Sequence, residues 1–265
     1  MSRSPHLALR RTRQTLSAFD NGPRLLWDLA SQRLPWGSDD LVFHVPGGVV
    51  VHCPNRPGAR VPVYEIFAED AYRLRVLLDG LEDPVVLDIG GHIGCFALAV
   101  ATRSPGARVH SYEASPSTAA WLSRNVDANG LQDRISAHHV AIADHRGSLQ
   151  FADNDGGSSL NGLTAPSGST HQVEVPCITF ADAVADAGGS VDLVKIDTEG
   201  AEYDMVLRSD PAAWASVQRV VMEYHDVPGH DWTELRDFLA TSGLVVTELE
   251  EASARQGTAW LTREG

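Results

Sequence analysis

Between Val85 and Gly94 the chain reads VVLDIGGHIG: a short strand-like apolar run with an acid near its end, then Gly90, Gly91 and Gly94 before a helical apolar stretch. A strand that feeds a helix through a glycine turn is the building unit of a parallel sheet. Glycine has no Cβ, so such a turn also lets backbone approach a ligand closely. The dinucleotide fingerprint G-x-G-x-x-G would put glycines two and five positions after Gly90, where His92 and Cys95 stand. A nicotinamide or flavin dinucleotide is therefore the weaker match.

The strand-helix pattern recurs from Pro84 onward. It predicts helices from about Ile93 to Thr102, Ser117 to Ala128, Phe180 to Ala187, Ala201 to Leu207 and Trp232 to Thr241, each after a strand-like run such as ARVHSY, QVEVPCITF, VDLVKID or VQRVVMEY. ISAHHVAIA reads as a strand, SLQF as hairpin-like, and LVVTELE with TAWLTR as a closing hairpin. The expected fold is α/β, a mostly parallel sheet with helices on both faces, over residues 84–265. Residues 1–36 carry loosely helical apolar spacing and predict one or two amphipathic helices, a lid or an interface. Residues 37–83 predict a small antiparallel meander of LVFHV, GGVVVHC and ARVPVY, then a helix over Glu69 to Gly80. The Gly/Ser-rich stretch 153–172 has the length of a lid or of a disordered loop, and both readings stay open.

Composition narrows the partners. A formal charge of −14 disfavours a general grip on nucleic acid phosphates or an anionic bilayer, and no apolar run approaches the ~20 residues of a membrane span. No secretory signal is visible at the basic N-terminus, and Cys53, Cys95 and Cys177 lack C-x-x-C spacing. The expectation is a soluble cytoplasmic protein with a small-molecule partner, no nucleic acid or membrane partner, and a homo-oligomer left open. Of the basic residues all but one are arginine, and the single lysine is Lys195.

Asp88, Gly90 and Gly94 also spell D-x-G-x-x-x-G, which resembles the first motif of class I S-adenosylmethionine methyltransferases. A carboxylate at Asp88 suits a sulfonium and an ammonium, whereas it would repel a pyrophosphate. Glu113 follows the next strand, twenty-three residues after Gly90, where a carboxylate can accept both ribose hydroxyls. Ala141, opening AIAD, is expected beside the adenine. The expected cofactor set is thus Asp88, Gly90, Gly94, Glu113 and Ala141. VVLDIGGHIGCFALAVA, YEASP, RNVDANG, VDLVKIDTEGAE and VVMEYH together resemble the FkbM family of S-adenosylmethionine-dependent methyltransferases. The resemblance covers about Tyr64 to Tyr224, including an EIF…Y lead-in from Glu65 to Tyr72. It implies the seven-stranded methyltransferase fold and O-methylation of a hydroxyl on a sugar or small secondary metabolite. Residues 1–36 and the Gly/Ser loop lie outside it and are expected to shape the acceptor pocket. The alternative is a methyltransferase-like nucleotide-binding scaffold that transfers nothing, serving as a partner or cyclisation template.

VDLVKIDTEGAE places Lys195 and Asp197 on one face of a strand, with Glu199 and Glu202 in the turn and helix that follow. A lysine in a buried strand needs a carboxylate or ligand beside it. Either Asp197 or Glu202 could pair with it structurally, or Lys195 could steer the acceptor. The next strand ends VVMEYHD and brings Glu223, His225 and Asp226 to the same edge. Two chemistries remain open: Asp197 or His225 takes the hydroxyl proton, or Asp197 and Glu223, with His225 or Asp226, hold a Mg²⁺ that lowers the hydroxyl pKa. The catalytic candidates are Lys195, Asp197 and His225. No G-x-S-x-G, P-loop or H-E-x-x-H pattern supports a hydrolase or NTPase.

Overall fold

The computed structural model describes residues 5–32, 34–56, 58–153, 172–253 and 255–264. Helices α1 (Pro5–Ala18) and α2 (Gly22–Ser31) lead into a hairpin of β1 (Asp40–Val45) and β2 (Val49–Pro54). A short helix α3 (Val61–Tyr64) runs directly into a π-helical turn over Glu65–Glu69, and α4 (Leu74–Leu77) follows. The chain continues through β3 (Val85–Ile89), α5 (Cys95–Arg103), β4 (Arg108–Tyr112), α6 (Pro116–Ala128), β5 (Ile135–His138), β6 (Ala141–Ala143), β7 (Gly147–Ala152) and β8 (Gln172–Thr179). It ends with α7 (Phe180–Asp186), β9 (Val191–Ile196), α8 (Glu202–Leu207), α9 (Pro211–Trp214), β10 (Val217–Tyr224), α10 (Trp232–Thr241), β11 (Leu244–Ser253) and β12 (Gln256–Arg263).

Seven strands form the main sheet in the order β11-β12-β10-β9-β3-β4-β5. The five from β10 to β5 are parallel, and β12 enters antiparallel to both β10 and β11. This is the mostly parallel seven-stranded sheet of class I methyltransferases. Alternation along the strands divides the core: Val86, Val109, Leu193 and Val221 pack on one face with α5, α6 and the N-terminal elements. Leu87, Val194, Val220 and Met222 pack on the other, with α7, α8 and α10. Asp88 and Lys195 follow the first face's rhythm and stand opposite each other in the β3–β9 register. The chain leaves β3 toward β4 on one side and returns to β9 on the other, which opens a crevice at the carboxyl ends of these strands.

Three expectations need correction. ARVPVY is not a third strand; Val61–Tyr64 is helical, because Pro62 lacks the N–H a ladder needs but fits a helix's first turn. The expected helix over Glu69 to Gly80 shrinks to Leu74–Leu77, since Asp70 and Arg73 both take left-handed conformations that interrupt it. ISAHHVAIA divides at His139 and Val140, and β6 joins a separate three-stranded sheet in the order β6-β8-β7. The antiparallel pairing of β7 with β8 matches the hairpin character of SLQF. Of the Gly/Ser stretch 153–172, residues 154–171 lie outside the described residues, while Asp153 is buried and Gln172 begins β8.

The RNVDANG segment has a structural use. Asn125 on α6 and Asn129, which caps its C-terminus one turn later, each bond the backbone of β2 twice: Asn125 accepts from His52 N–H and donates to His52 C=O, and Asn129 does the same at Val50. They satisfy peptide groups on the edge of a two-stranded hairpin. The hairpin is thereby fixed to the α6 side of the main sheet.

Candidate active site

A cavity of about 300 Å³ lies over the carboxyl ends of β3, β4, β9 and β10. Gly90, His92, Glu113, Ala141, Ile142, Leu149 and Phe151 line one half; Asp197, Glu199, Glu223 and His225 line the other, and Val61, Pro62 and Glu65 add a wall from the N-terminal side. No described residue of 1–36 reaches it. α1 instead braces that wall from behind, through Thr15 Oγ1 at 2.8 Å from the Tyr64 hydroxyl and through Arg11 and Gln14 donating to Glu69.

In the first half Glu113 is buried, and its carboxylate accepts from His92 N–H and Ser115 N–H, both at 2.8 Å. Burial pushes its carboxyl up to about 7, against the two backbone donors and the more distant Lys195 charge. Each oxygen retains a second lone pair for a ligand. Ala141 lies on β6 beside Ile142, with Leu149 and Phe151 of β7 completing an apolar slot. A flat apolar slot beside a buried acid fits an adenosine: the ring has apolar walls and the ribose diol an acceptor. These residues suit S-adenosylmethionine.

The glycines do something other than expected. A Cβ on Gly90, whose φ is +79°, would lie 1.8 Å from the Asp197 carbonyl oxygen, and a Cβ on Gly94 would lie 2.7 Å from Leu122 Cδ1. They let β9 and α6 close against the turn, and Gly90 also lines the cavity whereas Gly94 does not. Asp88 lies away from the cavity: it is fully buried, accepts from Ser111 Oγ at 2.7 Å and is absent from the cavity lining. Its carboxylate cannot contact a cofactor there.

Its partner is the lone lysine. Lys195 Nζ donates to Gly90 C=O at 2.7 Å and lies 3.5 Å from Asp88 Oδ1 and 3.7 Å from Asp197 Oδ2, with almost no exposure. Burial opposes the ammonium, but Asp197, Asp88 and Glu223 outweigh it and hold its pKa above the ordinary lysine range. Lys195 is therefore a charged tie between the glycine turn and two strand tips, and proton release to activate an acceptor is disfavoured. The pairing with Glu202 considered from sequence does not occur.

Glu202, fully buried, pairs with His225 instead. Its Oε1 accepts from the His225 backbone N–H at 2.7 Å and lies 3.1 Å from Nδ1, while Oε2 accepts from Thr198 Oγ1 and Gly200 N–H. One carboxylate thus ties the turn after β9 to the end of β10. Burial works against the His225 imidazolium, yet Glu202, Asp197 and Glu199 overcome it and push the pKa up to about 9. A protonated imidazole has no lone pair to receive a proton. This weighs against His225 as general base near neutral pH and favours Asp197.

Asp197 and Glu223 are bridged by a residue from outside the sheet. The Tyr72 hydroxyl lies 2.5 Å from Glu223 Oε1 and 3.1 Å from Asp197 Oδ2. A phenol has one proton to give and two carboxylates face it. Burial, with the Asp197 charge next, raises the Glu223 pKa, and the Tyr72 bond, Lys195 and His225 partly offset this. Asp226 does not join; it pairs with Arg255 at 3.0 Å on the rim. One ligand atom from each of Asp197, Glu223 and His225 falls within 4.8 Å of the others, a grouping that could hold a cation once His225 gave up its proton.

Sequence reasoning missed Tyr72, Glu65, Glu202 as the partner of His225, and the β7 wall. Tyr72 and Glu65 bracket the EIF…Y lead-in, which was the available signal. Among the described residues no helix is long and apolar enough to cross a membrane.

Comparisons with known proteins agree with this geometry. The family model described as the methyltransferase FkbM domain matches residues 88–250. The 31-O-demethyl-FK506 methyltransferase FkbM of Streptomyces tacrolimicus is 27% identical over 215 residues, covering 71% of this chain and 82% of the relative. The 2-O-methyltransferase NoeI of Sinorhizobium fredii is 30% identical over 141 residues, covering 47% and 56%. A solved methyltransferase FkbM from Methylobacillus flagellatus aligns with a TM-score of 0.49 at 14% identity, over 68% of this chain and 44% of that one. With more than half its length matched by the family model, the chain belongs to the FkbM family of S-adenosylmethionine-dependent methyltransferases.

Proposed function

We propose that the protein moves the methyl group of S-adenosylmethionine to a hydroxyl oxygen of a small acceptor, with Asp197 receiving the hydroxyl proton. The observation that carries this reading is a single cavity lined both by Glu113, a buried acid beside an apolar slot, and by Asp197 at a nearby strand tip. When bound, the cofactor supplies a methyl on a sulfonium, whose carbon–sulfur bond breaks with its electron pair left on sulfur as the carbon–oxygen bond forms. The chain holds donor and acceptor in line, excludes water and takes the proton at the Asp197 carboxylate. Two relatives bear names that specify transfer to oxygen, which supports a hydroxyl acceptor here.

A metal-assisted version draws support from the Asp197, Glu223 and His225 grouping. In that version a Mg²⁺ would lower the hydroxyl pKa, and its binding would release the His225 proton. The test is incubation with labelled-methyl S-adenosylmethionine and a small-molecule extract of the source organism, with and without EDTA. An ether product carrying the label supports O-methylation. Loss of transfer in EDTA selects the metal version. Tight S-adenosylhomocysteine binding with no transfer to any acceptor favours the non-transferring scaffold.

A further inference from the structure

We propose that Glu65 selects the acceptor: its carboxylate takes a hydrogen bond from a hydroxyl or ammonium beside the hydroxyl being methylated, so the substrate class is a neutral or amine-bearing polyol and anionic acceptors are refused. This rests on the methyltransferase reading above.

Glu65 lines the same cavity as Asp197 and Glu223, facing them from the opposite chain segment. The other acids there are engaged. Glu113 holds two backbone donors, Asp197 and Glu223 share Tyr72, and Glu199 lies 3.6 Å from His225 Nε2. No hydrogen bond or ion pair involves the Glu65 side chain among the described residues, although it is half-buried. The nearby cations are also committed: Lys195 to Gly90 C=O, Asp88 and Asp197, and Arg11 to Glu69. Burial, then the Glu223 and Asp197 charges, push the Glu65 carboxyl up to about 7, so above that pH it is a carboxylate whose free lone pairs in the cavity wall call for a donor from the ligand.

The backbone presents Glu65 deliberately. It opens the π-helical turn, a rare local geometry that recurs at functional sites, and its carbonyl closes that turn by accepting from Asp70 N–H and Ala71 N–H. Tyr64 on one side is fixed through Thr15, and Glu69 on the other through Arg10, Arg11 and Gln14. The acid is thus held on a braced support.

The test uses the full chain saturated with S-adenosylhomocysteine, in buffer well above the Glu65 pKa of about 7 so that this acid is ionised, and in EDTA so that no divalent ion screens the acids. Three probes of one ring shape are titrated by calorimetry: methyl glucopyranoside, its 2-amino-2-deoxy analogue and the corresponding methyl glucuronide. The glucuronide should bind roughly tenfold or more weakly than the neutral sugar, and the amino sugar at least as tightly as the neutral one. Glu65→Gln should erase the discrimination against the glucuronide while leaving S-adenosylhomocysteine affinity unchanged, and Glu65→Lys should reverse it. Equal binding of glucuronide and neutral sugar, an unchanged order in Glu65→Gln, or binding of none of the three would overturn the proposal while the cofactor result still stands. Failure to bind S-adenosylhomocysteine would overturn the methyltransferase reading and this inference with it.

Discussion

In the cofactor half of the cavity, Glu113 receives two peptide N–H groups from its own neighbourhood, and the slot beside it is built of Ile142, Leu149 and Phe151. In the acceptor half, one phenol proton serves both Asp197 and Glu223, with Glu65 and Glu199 close by. The first region is nearly complete by itself. The second crowds acids faster than the protein supplies donors. On the assignment proposed above, the difference teaches that the Glu113 half is preformed for a cofactor, while the Asp197 half holds hydrogen-bonding capacity left for an acceptor. Substitutions at Asp197, Glu113 and Tyr72 should disturb one half and spare the other, and one at Lys195 should disturb the link between them.

The largest effect is expected at Asp197. Asp197→Asn keeps the shape and an oxygen for Tyr72 but removes the proton acceptor, so methyl transfer should fall about 10²–10⁴-fold. S-adenosylhomocysteine affinity, measured by calorimetry, should be unchanged. Equal losses of transfer and of cofactor binding would mean that the halves are not separable.

Lys195 joins the halves, so its loss should appear in stability. Lys195→Met leaves Asp88 buried without its cation, which is expected to destabilise the fold by about 3–5 kcal/mol in urea unfolding. Asp88→Asn added to Lys195→Met should recover a substantial part of that, because the uncompensated charge is then gone. A double variant as unstable as the single one would show that the ammonium matters through Gly90 C=O and Asp197 rather than Asp88.

Glu113→Ala is expected to weaken S-adenosylhomocysteine binding by about 1.5–3 kcal/mol through lost charged hydrogen bonds. The acceptor preferences attributed to Glu65 should stay as they are. Undiminished cofactor affinity would remove the ribose assignment and with it the division drawn here.

What could be read from sequence was what is local. The period of the strands and the positions of Asp197, Glu223 and His225 at strand ends follow from alternation and turn chemistry, so those side chains were placed at the right edge. The reason for Gly90 was not local: the atom its Cβ would strike is the carbonyl of Asp197, 107 positions away. Lys195 was visibly unusual, yet choosing among Asp197, Glu202 and Asp88 required the β3–β9 register, which periodicity cannot supply. The Val-Pro-Val run fits a strand by its β-branched residues and a helix start by its proline, and burial of Val63 and Tyr64 decides for the helix. Tyr72 reaches Asp197 across 125 positions from a segment whose turns depend on two left-handed residues, Asp70 and Arg73. No spacing rule connects such a pair.

The smallest and most discriminating change is Tyr72→Phe. The ring would keep its edge contact with Phe96, at 5.7 Å between centroids, and its place near the Lys195 ammonium; only the hydroxyl between the two acids is lost. Net loss of a hydrogen bond of this kind is about 1 kcal/mol, within the ordinary range of 0.5–1.5 kcal/mol. Its pH dependence carries the information. Burial and the Asp197 charge raise the Glu223 pKa, and the Tyr72 bond partly offsets this by favouring the ionised form. While Glu223 keeps its proton, that proton can bridge directly to Asp197 and replace much of what the phenol did. Once rising pH removes it, two carboxylates face each other with no donor between them. The stability deficit of Tyr72→Phe relative to the parent should therefore be small in mildly acidic buffer and grow as pH rises through the Glu223 titration, and it should leave S-adenosylhomocysteine affinity untouched. Urea unfolding of both proteins across pH 5 to 8.5 measures this. A deficit that is constant with pH would mean that the hydroxyl acts only as packing, and the acceptor half would then not be the donor-poor region that sets it apart from the cofactor half.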